Sequence, residues 1–305
     1  MMKRKLAGWC MAAAMAFSLL AGCGASEGTS PDAAGSSAAA ESSSAEDSGN
    51  VLRVGMECAY PPFNWTQMTP EVADGITAEP IYGTDMYAYG YDVAVAQKIA
   101  EQLGMTLEVH KVEWSSIGTS LDAGVYDAVI AGMGKTAERE KAYAFTEPYY
   151  YRHNCIVVKK GGPYENVTKL SDLAGTGCKV TTQLGTGWVP LLDQIEGAVL
   201  SGNYETTSEC FMAISNGVAD VCVVDIPTAE SAAMTNEDLK VITLDSSDTF
   251  TNDEEMVNVC IATRKDDTEL RDKIQGAMDA MGWNDSAEMD KLMEETIPLQ
   301  PAASV

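Results

Sequence analysis

A glycine-rich turn followed by a single arginine, at residues 126–139, is the part of this sequence best suited to chemistry. The segment reads Tyr-Asp-Ala-Val-Ile-Ala-Gly-Met-Gly-Lys-Thr-Ala-Glu-Arg. Residues 128–131 predict a short buried strand, and Thr136 is suited to cap a helix whose first turn contains Arg139. A cation there opposes the partly positive helix end, so an anion is expected to compensate it. That anion is either a ligand carboxylate held by the guanidinium fork or a nearby side chain, namely Glu138, Glu140 or Glu147.

The N-terminus predicts export and lipid attachment. Basic residues at positions 3–5 precede an uncharged stretch, residues 6–20, and a Leu-Ala-Gly-Cys lipobox ends at Cys23. We predict a signal peptide over residues 1–22, and then the lipidated Cys23 and a disordered tether over residues 23–50, which are poor in apolar side chains. The domain would then lie on the extracytoplasmic face of the cell membrane. The alternative for the first segment is a retained transmembrane helix.

Composition excludes several classes of partner. The formal net charge of -25 disfavours nucleic acid and anionic lipid surfaces. Residues 51–305 are long enough for two ordinary lobes or one large domain. His110 and His153 are the only histidines in the sequence, which argues against a Cys and His zinc site. Six cysteines would remain after export, with their pairing open, and most are expected to be small buried hydrophobes: Cys58, Cys155, Cys178, Cys210, Cys222 and Cys260.

Alternating strands and helices predict parallel sheets with helices on both faces. The first strand is predicted at Val51–Met56, and Asp92 is expected to cap a helix that Gly104 ends. Proline and glycine interrupt residues 66–89, which predicts an irregular excursion there.

A repeated pattern predicts two lobes of like topology. Gly-Val-Tyr-Asp at residues 124–127 and Gly-Val-Ala-Asp at residues 217–220 each precede an apolar strand. Residues 179–183, followed by Gly-Thr-Gly at 185–187, repeat the strand-to-turn pattern of the first half. Ligands of such sheets bind beyond the carboxyl ends of the strands, where four side chains are expected to meet: Glu57, Arg139, Thr186 and Asp225.

Motifs for cofactor chemistry are incomplete. Gly134-Lys-Thr resembles the end of a phosphate-binding loop, but Val129 stands where the first glycine belongs. Gly-Thr-Gly at 185–187 lacks the third glycine of a dinucleotide fingerprint, and the sequence contains neither a GxSxG elbow nor an HExxH motif. We therefore predict no cofactor, no metal site and no catalytic residues.

The chain resembles the polar amino-acid-binding family of extracellular solute-binding proteins, family 3, which feed ABC importers. The resemblance implies an α/β fold with two lobes, of the periplasmic-binding-protein type II, with strand crossovers near Arg152 and Asn252. Lobe 1 would contain residues 51–152 and 253–305, and lobe 2 residues 153–252. The segments that carry the resemblance are residues 52–57 with 60–63, residues 90–93, Gly132 and Met133 with Thr136, Glu138 and Arg139, residues 145–150, and residues 264–270.

The resemblance also implies how the head group of an amino acid would be held. Arg139 would bind the ligand α-carboxylate, with hydrogen bonds from Thr186 and the amides of its turn, and Asp225 would bind the α-ammonium. This sequence departs from the family pattern at Gly134 and Gly187, where serine or threonine hydroxyls are usual.

The ligand side chain would lie between aromatic residues. Tyr60 and Trp114 would flank it, and Glu57 would meet a polar or cationic group. The excursion at residues 66–89 is longer than the usual hairpin of the family. The complete implied site is Glu57, Tyr60, Trp114, Gly132, Gly134, Arg139, Thr186, Gly187 and Asp225.

The expected function is that of a lipid-anchored receptor. It would capture a free polar or basic amino acid between its lobes and deliver it to the permease subunits of an ABC importer, while Cys23 holds it to the membrane. The alternative is an exported cyclohexadienyl dehydratase on the same fold, acting on prephenate or arogenate with Glu57 as the proton donor.

Overall fold

Two mixed five-stranded sheets organise residues 50–251 and 257–301, the part of the chain that this computed structural model describes. The predicted signal peptide, Cys23 and the tether up to residue 49 lie outside the described residues, as does the predicted crossover near Asn252. The described residues belong to one compact unit. Over the described residues, no helix is long and apolar enough to cross a membrane.

The strands and helices have the following bounds. In chain order the strands are β1 (Val51–Met56), β2 (Ala59–Tyr60), β3 (Asn64–Gln67), β4 (Glu71–Ala73), β5 (Ile76–Thr77), β6 (Glu79–Pro80), β7 (Tyr87–Tyr89), β8 (Thr106–Lys111), β9 (Ala128–Val129), β10 (Tyr143–Tyr151), β11 (Asn154–Lys159), β12 (Lys179–Thr181), β13 (Val199–Leu200), β14 (Val221–Asp225), β15 (Leu239–Ile242) and β16 (Asn258–Arg264). The helices are α1 (Tyr91–Leu103), α2 (Ile117–Asp122), α3 (Ala137–Ala142), α4 (Val189–Leu192), α5 (Thr207–Ser215), α6 (Ile226–Thr235), α7 (Thr268–Ala280) and α8 (Ser286–Thr296), with short 3-10 helices at Trp114–Ser116, Leu170–Leu173 and Ile297–Leu299.

The two sheets repeat one topology, as the sequence predicts. Lobe 1 is built on the order β8-β1-β9-β16-β10, and lobe 2 on β13-β12-β14-β11-β15. The Gly-Val-x-Asp repeats occupy equivalent places, because the amide of Asp127 donates to the Arg53 carbonyl (2.9 Å) and that of Asp220 to the Lys179 carbonyl (2.7 Å). The exact lobe boundaries stay a prediction.

The prediction of parallel sheets was wrong for part of each sheet. Three neighbouring strands of each sheet are parallel, but β16 and β11 run antiparallel to β9 and β14. Strands β11 and β16 arrive from the other sheet. They therefore begin at the edge where the parallel strands end, and they run in the opposite direction. The described crossover, from β10 to β11, passes through Arg152, as predicted.

Residues 66–89 are not an irregular excursion. They contain a β4-β5 hairpin and contribute to the antiparallel sheet β2-β3-β7-β6. The segment then reaches the outer edge of lobe 1, where Ile81 pairs with Val109 of β8 and Tyr82 stacks on His110. Covering an exposed sheet edge in this way blocks edge-to-edge association.

Asp92 does not cap helix α1. The helix begins at Tyr91 after Gly90, whose φ of 130° favours glycine. A Cβ at residue 90 would lie 2.4 Å from the Phe63 carbonyl oxygen, so the chain enters the helix against residues 63–64. Asp92 is thereby buried, and its carboxylate accepts hydrogen bonds from Asn64 and from the Tyr149 hydroxyl (2.7 Å each). Burial raises the pKa of Asp92 to about 6.

The six cysteines that would remain after export are buried and carry free thiols. They are Cys58, Cys155, Cys178, Cys210, Cys222 and Cys260. This confirms that they pack as small apolar side chains.

Candidate functional site

A small cavity lies between the two lobes, at the ends of strands from both sheets. Its volume is ≈10 Å³, room for roughly one water molecule, because the lobes contact each other around it. Its lining comes from the loops after β1, β9 and β12, strand β2, the 3-10 helix after β8, helix α3 and the β10–β11 crossover. The lining residues are Glu57, Tyr60, Trp114, Ala131, Gly132, Arg139, Arg152, Gln183, Thr186, Gly187 and Trp188.

The structure brings most of the predicted site residues together in this lining. The predicted residues that line the cavity are Glu57, Tyr60, Trp114, Gly132, Arg139, Thr186 and Gly187. Gly134 and Asp225 do not line it. Gly134 pairs with Val259 on β16, and its carbonyl oxygen accepts a hydrogen bond from Arg139 (2.7 Å).

Asp225 lies directly behind Tyr60. One carboxylate oxygen accepts from the Thr228 amide (2.9 Å) and so caps helix α6, and the other accepts a short hydrogen bond from the Tyr60 hydroxyl. The Tyr60 ring, stacked on Phe63 at 4.9 Å, fills the space above Gly132. A side chain at residue 132 would meet that ring, since a Cβ there would lie 2.6 Å from it. Tyr60 therefore joins lobe 1 to the Asp225 carboxylate of lobe 2.

Arg139 is placed by the predicted cap. The Thr136 hydroxyl accepts from the Arg139 amide (3.2 Å), which starts helix α3 and directs the guanidinium towards the cavity. The guanidinium donates to the carbonyls of Gly134 (2.7 Å) and Gly185 (3.2 Å), and it lies 5.3 Å from the centre of the Trp114 ring. The contact with Gly185 crosses from lobe 1 to lobe 2.

Local acidic side chains do not neutralise Arg139. Glu138 pairs with Lys141 (2.5 Å), and Glu140 pairs with Lys135 (2.9 Å). Among residues 50–251 and 257–301, no carboxylate forms an ion pair with Arg139 within 4.0 Å. Burial, with a smaller contribution from Arg152, lowers the pKa of Arg139 to about 10. The site thus holds a partly desolvated cation whose ordinary counterion would be a ligand carboxylate.

Glu57 is the carboxylate that faces the cavity. It follows β1, is 5% exposed, and accepts a hydrogen bond from the Gln183 side chain of lobe 2 (2.9 Å). Burial raises the pKa of Glu57 to about 8; the Gln183 hydrogen bond opposes this shift, and the charges of Glu205 and Asp92 add to it.

Sequence reasoning missed Ala131, Arg152, Gln183 and Trp188. Arg152 is 5% exposed, donates to the Gly132 carbonyl (2.8 Å), and lies 5.0 Å from the centre of the Trp188 ring. Two of these four residues could have been predicted from the sequence. Arg152 lies on a crossover that must pass the cleft, and Trp188 directly follows the Gly-Thr-Gly turn. No group of three or more potential metal ligands occurs in the described part of the chain.

Two lobes of repeated topology, with a cavity and an arginine suited to a carboxylate between them, are typical of proteins that bind a small ligand between two lobes. Residues 52–296 match the bacterial extracellular solute-binding proteins, family 3, and the chain belongs to that family.

Several known proteins are similar to the chain. The arginine-binding extracellular protein ArtP of Bacillus subtilis (strain 168) is 29% identical over 266 residues, which cover 85% of this chain and 91% of ArtP. The crystal structure of the ancestral amino acid-binding protein AncCDT-1, a precursor of cyclohexadienyl dehydratase, is 27% identical with a TM-score of 0.65, covering 81% of this chain and 96% of that one. The structure of an ancestral arginine-binding protein bound to glutamine is 29% identical with a TM-score of 0.64, covering 81% and 97%. These relatives are binding proteins, which favours binding over the dehydratase alternative.

Proposed function

We propose that this protein captures a free amino acid between its lobes and presents it to the permease subunits of an ABC importer. The observation that carries the proposal is Arg139, a half-buried cation that faces the cavity without an ionic partner among the described residues. Its guanidinium suits the bidentate geometry of a carboxylate. The arginine-binding relative ArtP supports an amino acid as the ligand class.

Capture requires the lobes to separate. A cavity of ≈10 Å³ cannot hold an amino acid, since small-molecule pockets usually measure ~300 Å³ or more. Hydrogen bonds across the cleft would open, among them those that join Glu57 to Gln183, Tyr60 to Asp225, Arg139 to Gly185 and the Ser115 amide to the Glu205 carboxylate. A ligand that replaces these contacts on both lobes stabilises a closed form that differs from the empty one, and the permease can distinguish the two.

The remaining roles follow from position. Thr186 and the amides of its turn would complete the carboxylate site, and Asp225 would bind the α-ammonium once the Tyr60 hydroxyl moves aside. Trp114 would flank the side chain, and Glu57 would meet its polar or basic end. These residues bind the ligand, and we propose no catalytic step for any of them.

The test is isothermal calorimetry of the full chain, purified in a mild detergent, against the common amino acids and cystine. At least one of them is expected to bind with a micromolar or tighter Kd, since a chelated carboxylate, a paired ammonium and a buried side chain contribute together roughly 8 kcal/mol or more. If none binds, the proposal is wrong.

We also propose that Cys23 anchors the protein by a lipid on the extracytoplasmic face of the cell membrane. The lipobox that ends at Cys23 supports this, together with membership of an extracellular family. Replacing Cys23→Ser is expected to move the chain from the membrane fraction to the soluble fraction, as measured by immunoblotting after fractionation. Continued membrane retention with an unprocessed N-terminus would instead favour the retained transmembrane helix. Cys58→Ser serves as the control, because that cysteine is buried in lobe 1.

A further inference from the structure

Two guanidiniums line the cavity, and each is held by the same two kinds of contact. Arg139 donates to the Gly134 carbonyl and lies over Trp114, while Arg152 donates to the Gly132 carbonyl and lies over Trp188. Stacking on an aromatic face and a hydrogen bond to a fixed carbonyl hold a guanidinium in one orientation. Both cations line the cavity, and their mutual repulsion contributes to the lowered pKa of Arg139.

The two carboxylates near the cavity, unlike the two guanidiniums, are each covered by a neighbouring side chain. Asp225 is covered by Tyr60, and Glu57 is buried against Gln183 at the cavity wall. Burial, with a smaller contribution from the Glu205 and Asp92 charges, holds the pKa of Glu57 at about 8, so near neutral pH much of this group is protonated. A protonated carboxyl donates a hydrogen bond, which suits an acceptor oxygen better than a cation. The lining of the cavity therefore offers donors and positive charge to a ligand side chain.

We propose that Arg152 is a specificity-determining residue that binds a second acidic group, so that the ligand class is an amino acid with a carboxylate in its side chain. This inference rests on the proposed function and replaces the polar or basic ligand side chain named there with an acidic one. Arg139 holds the α-carboxylate and Arg152 the distal one. A basic side chain is disfavoured, because a cation placed near the Arg152 guanidinium is repelled in a site from which water is largely excluded.

The experiment compares isosteric ligands that differ in one charge. Calorimetry of the full chain in detergent measures glutamate against glutamine and aspartate against asparagine, with arginine as the basic comparator. We expect at least one acid to bind roughly tenfold or more tightly than its amide, which is the size of one charge-assisted hydrogen bond. Arg152→Gln is expected to abolish that preference by weakening the acid alone, while Arg152→Lys retains part of it.

Matched variants separate this role from a structural one. Arg271→Gln removes the same charge from a residue that lies outside the cavity lining and pairs with Asp272, and it should leave the preference unchanged. If Arg152→Gln weakens the acid and its amide equally, Arg152 only supports Gly132 and Trp188, and the inference is wrong. Tighter binding of arginine or of the amides also overturns it while leaving the proposed function intact. Failure of every amino acid to bind overturns both.

Discussion

Replacing Arg139→Ala is expected to weaken amino-acid binding at least about 30-fold, in line with the roughly 2–5 kcal/mol lost when one partner of a buried, hydrogen-bonded charge pair is removed. The melting temperature of the ligand-free protein should change little. Arg139 gains two carbonyl hydrogen bonds and a stacking contact in the closed form, but its lowered pKa shows that burial of the charge opposes them. Calorimetry with the ligand and thermal melting without it measure the two effects separately.

Two further variants test whether the effect depends on the guanidinium of Arg139 and on its position in the cavity. Arg139→Lys keeps the charge but loses the planar fork, so it should recover only part of the affinity. Lys135→Ala removes a cation from the same turn, one that pairs with Glu140 and lies outside the cavity lining, and it should bind ligand normally. A large fall in melting temperature for ligand-free Arg139→Ala would show that the arginine is structural and that the carboxylate clamp is misassigned.

The sequence predicts those parts of the site that depend on neighbouring residues. The Thr136 cap and the end of strand β1 are local features, and they place Arg139 and Glu57 correctly. The Gly-Val-x-Asp repeat predicts two like sheets, because the same strand-to-turn pattern needs the same neighbours in each lobe. Such features follow from hydrogen bonding and periodicity within a few residues.

The parts that the sequence does not reveal depend on distant contacts. Aspartate is a common helix-capping residue, which is why the sequence predicts that role for Asp92. Its partners Asn64 and Tyr149 lie 28 and 57 residues away in sequence, and their hydrogen bonds hold the Asp92 side chain in the interior. Tyr60 and Asp225 are separated by 165 residues, and their hydrogen bond decides that Asp225 does not line the cavity. For Arg152 the sequence indicates only a place on a crossover that passes the cleft, and the contacts with Gly132 and Trp188 show that its guanidinium faces the site. Local patterns carry no information about such pairs.

The ligand-free protein is expected to lose stability as the pH rises, and Glu57 should account for most of the loss between about pH 6 and 8. The pKa of Glu57 is about 8 in the folded protein against an ordinary 4.5, so the folded state binds this proton more tightly. Below about pH 4.5 the group is protonated in both states. Between about 4.5 and 8 the unfolded chain releases the proton while the folded protein keeps it, so each pH unit lowers the unfolding free energy by up to about 1.4 kcal/mol.

Comparison with Glu57→Gln isolates this effect. The amide keeps the shape of the protonated acid and does not titrate, so the fall in unfolding free energy between pH 6 and 8 should flatten.

Asp92 has the same sign of shift, but its pKa of about 6 confines its contribution mainly to lower pH. It and both histidines are shared by the two proteins, so they cancel in the difference. Glu205→Gln should keep most of the pH dependence, because it removes a charge that contributes less than burial to the Glu57 shift, and its amide oxygen can still accept from the Ser115 amide. Parallel pH profiles for the wild type and Glu57→Gln, followed by chemical denaturation, would mean that Glu57 is solvated and ionised in the folded protein. In that case Glu57 would be free to meet a basic ligand group, and the preference for a second acidic group assigned to Arg152 would lose its supporting donor.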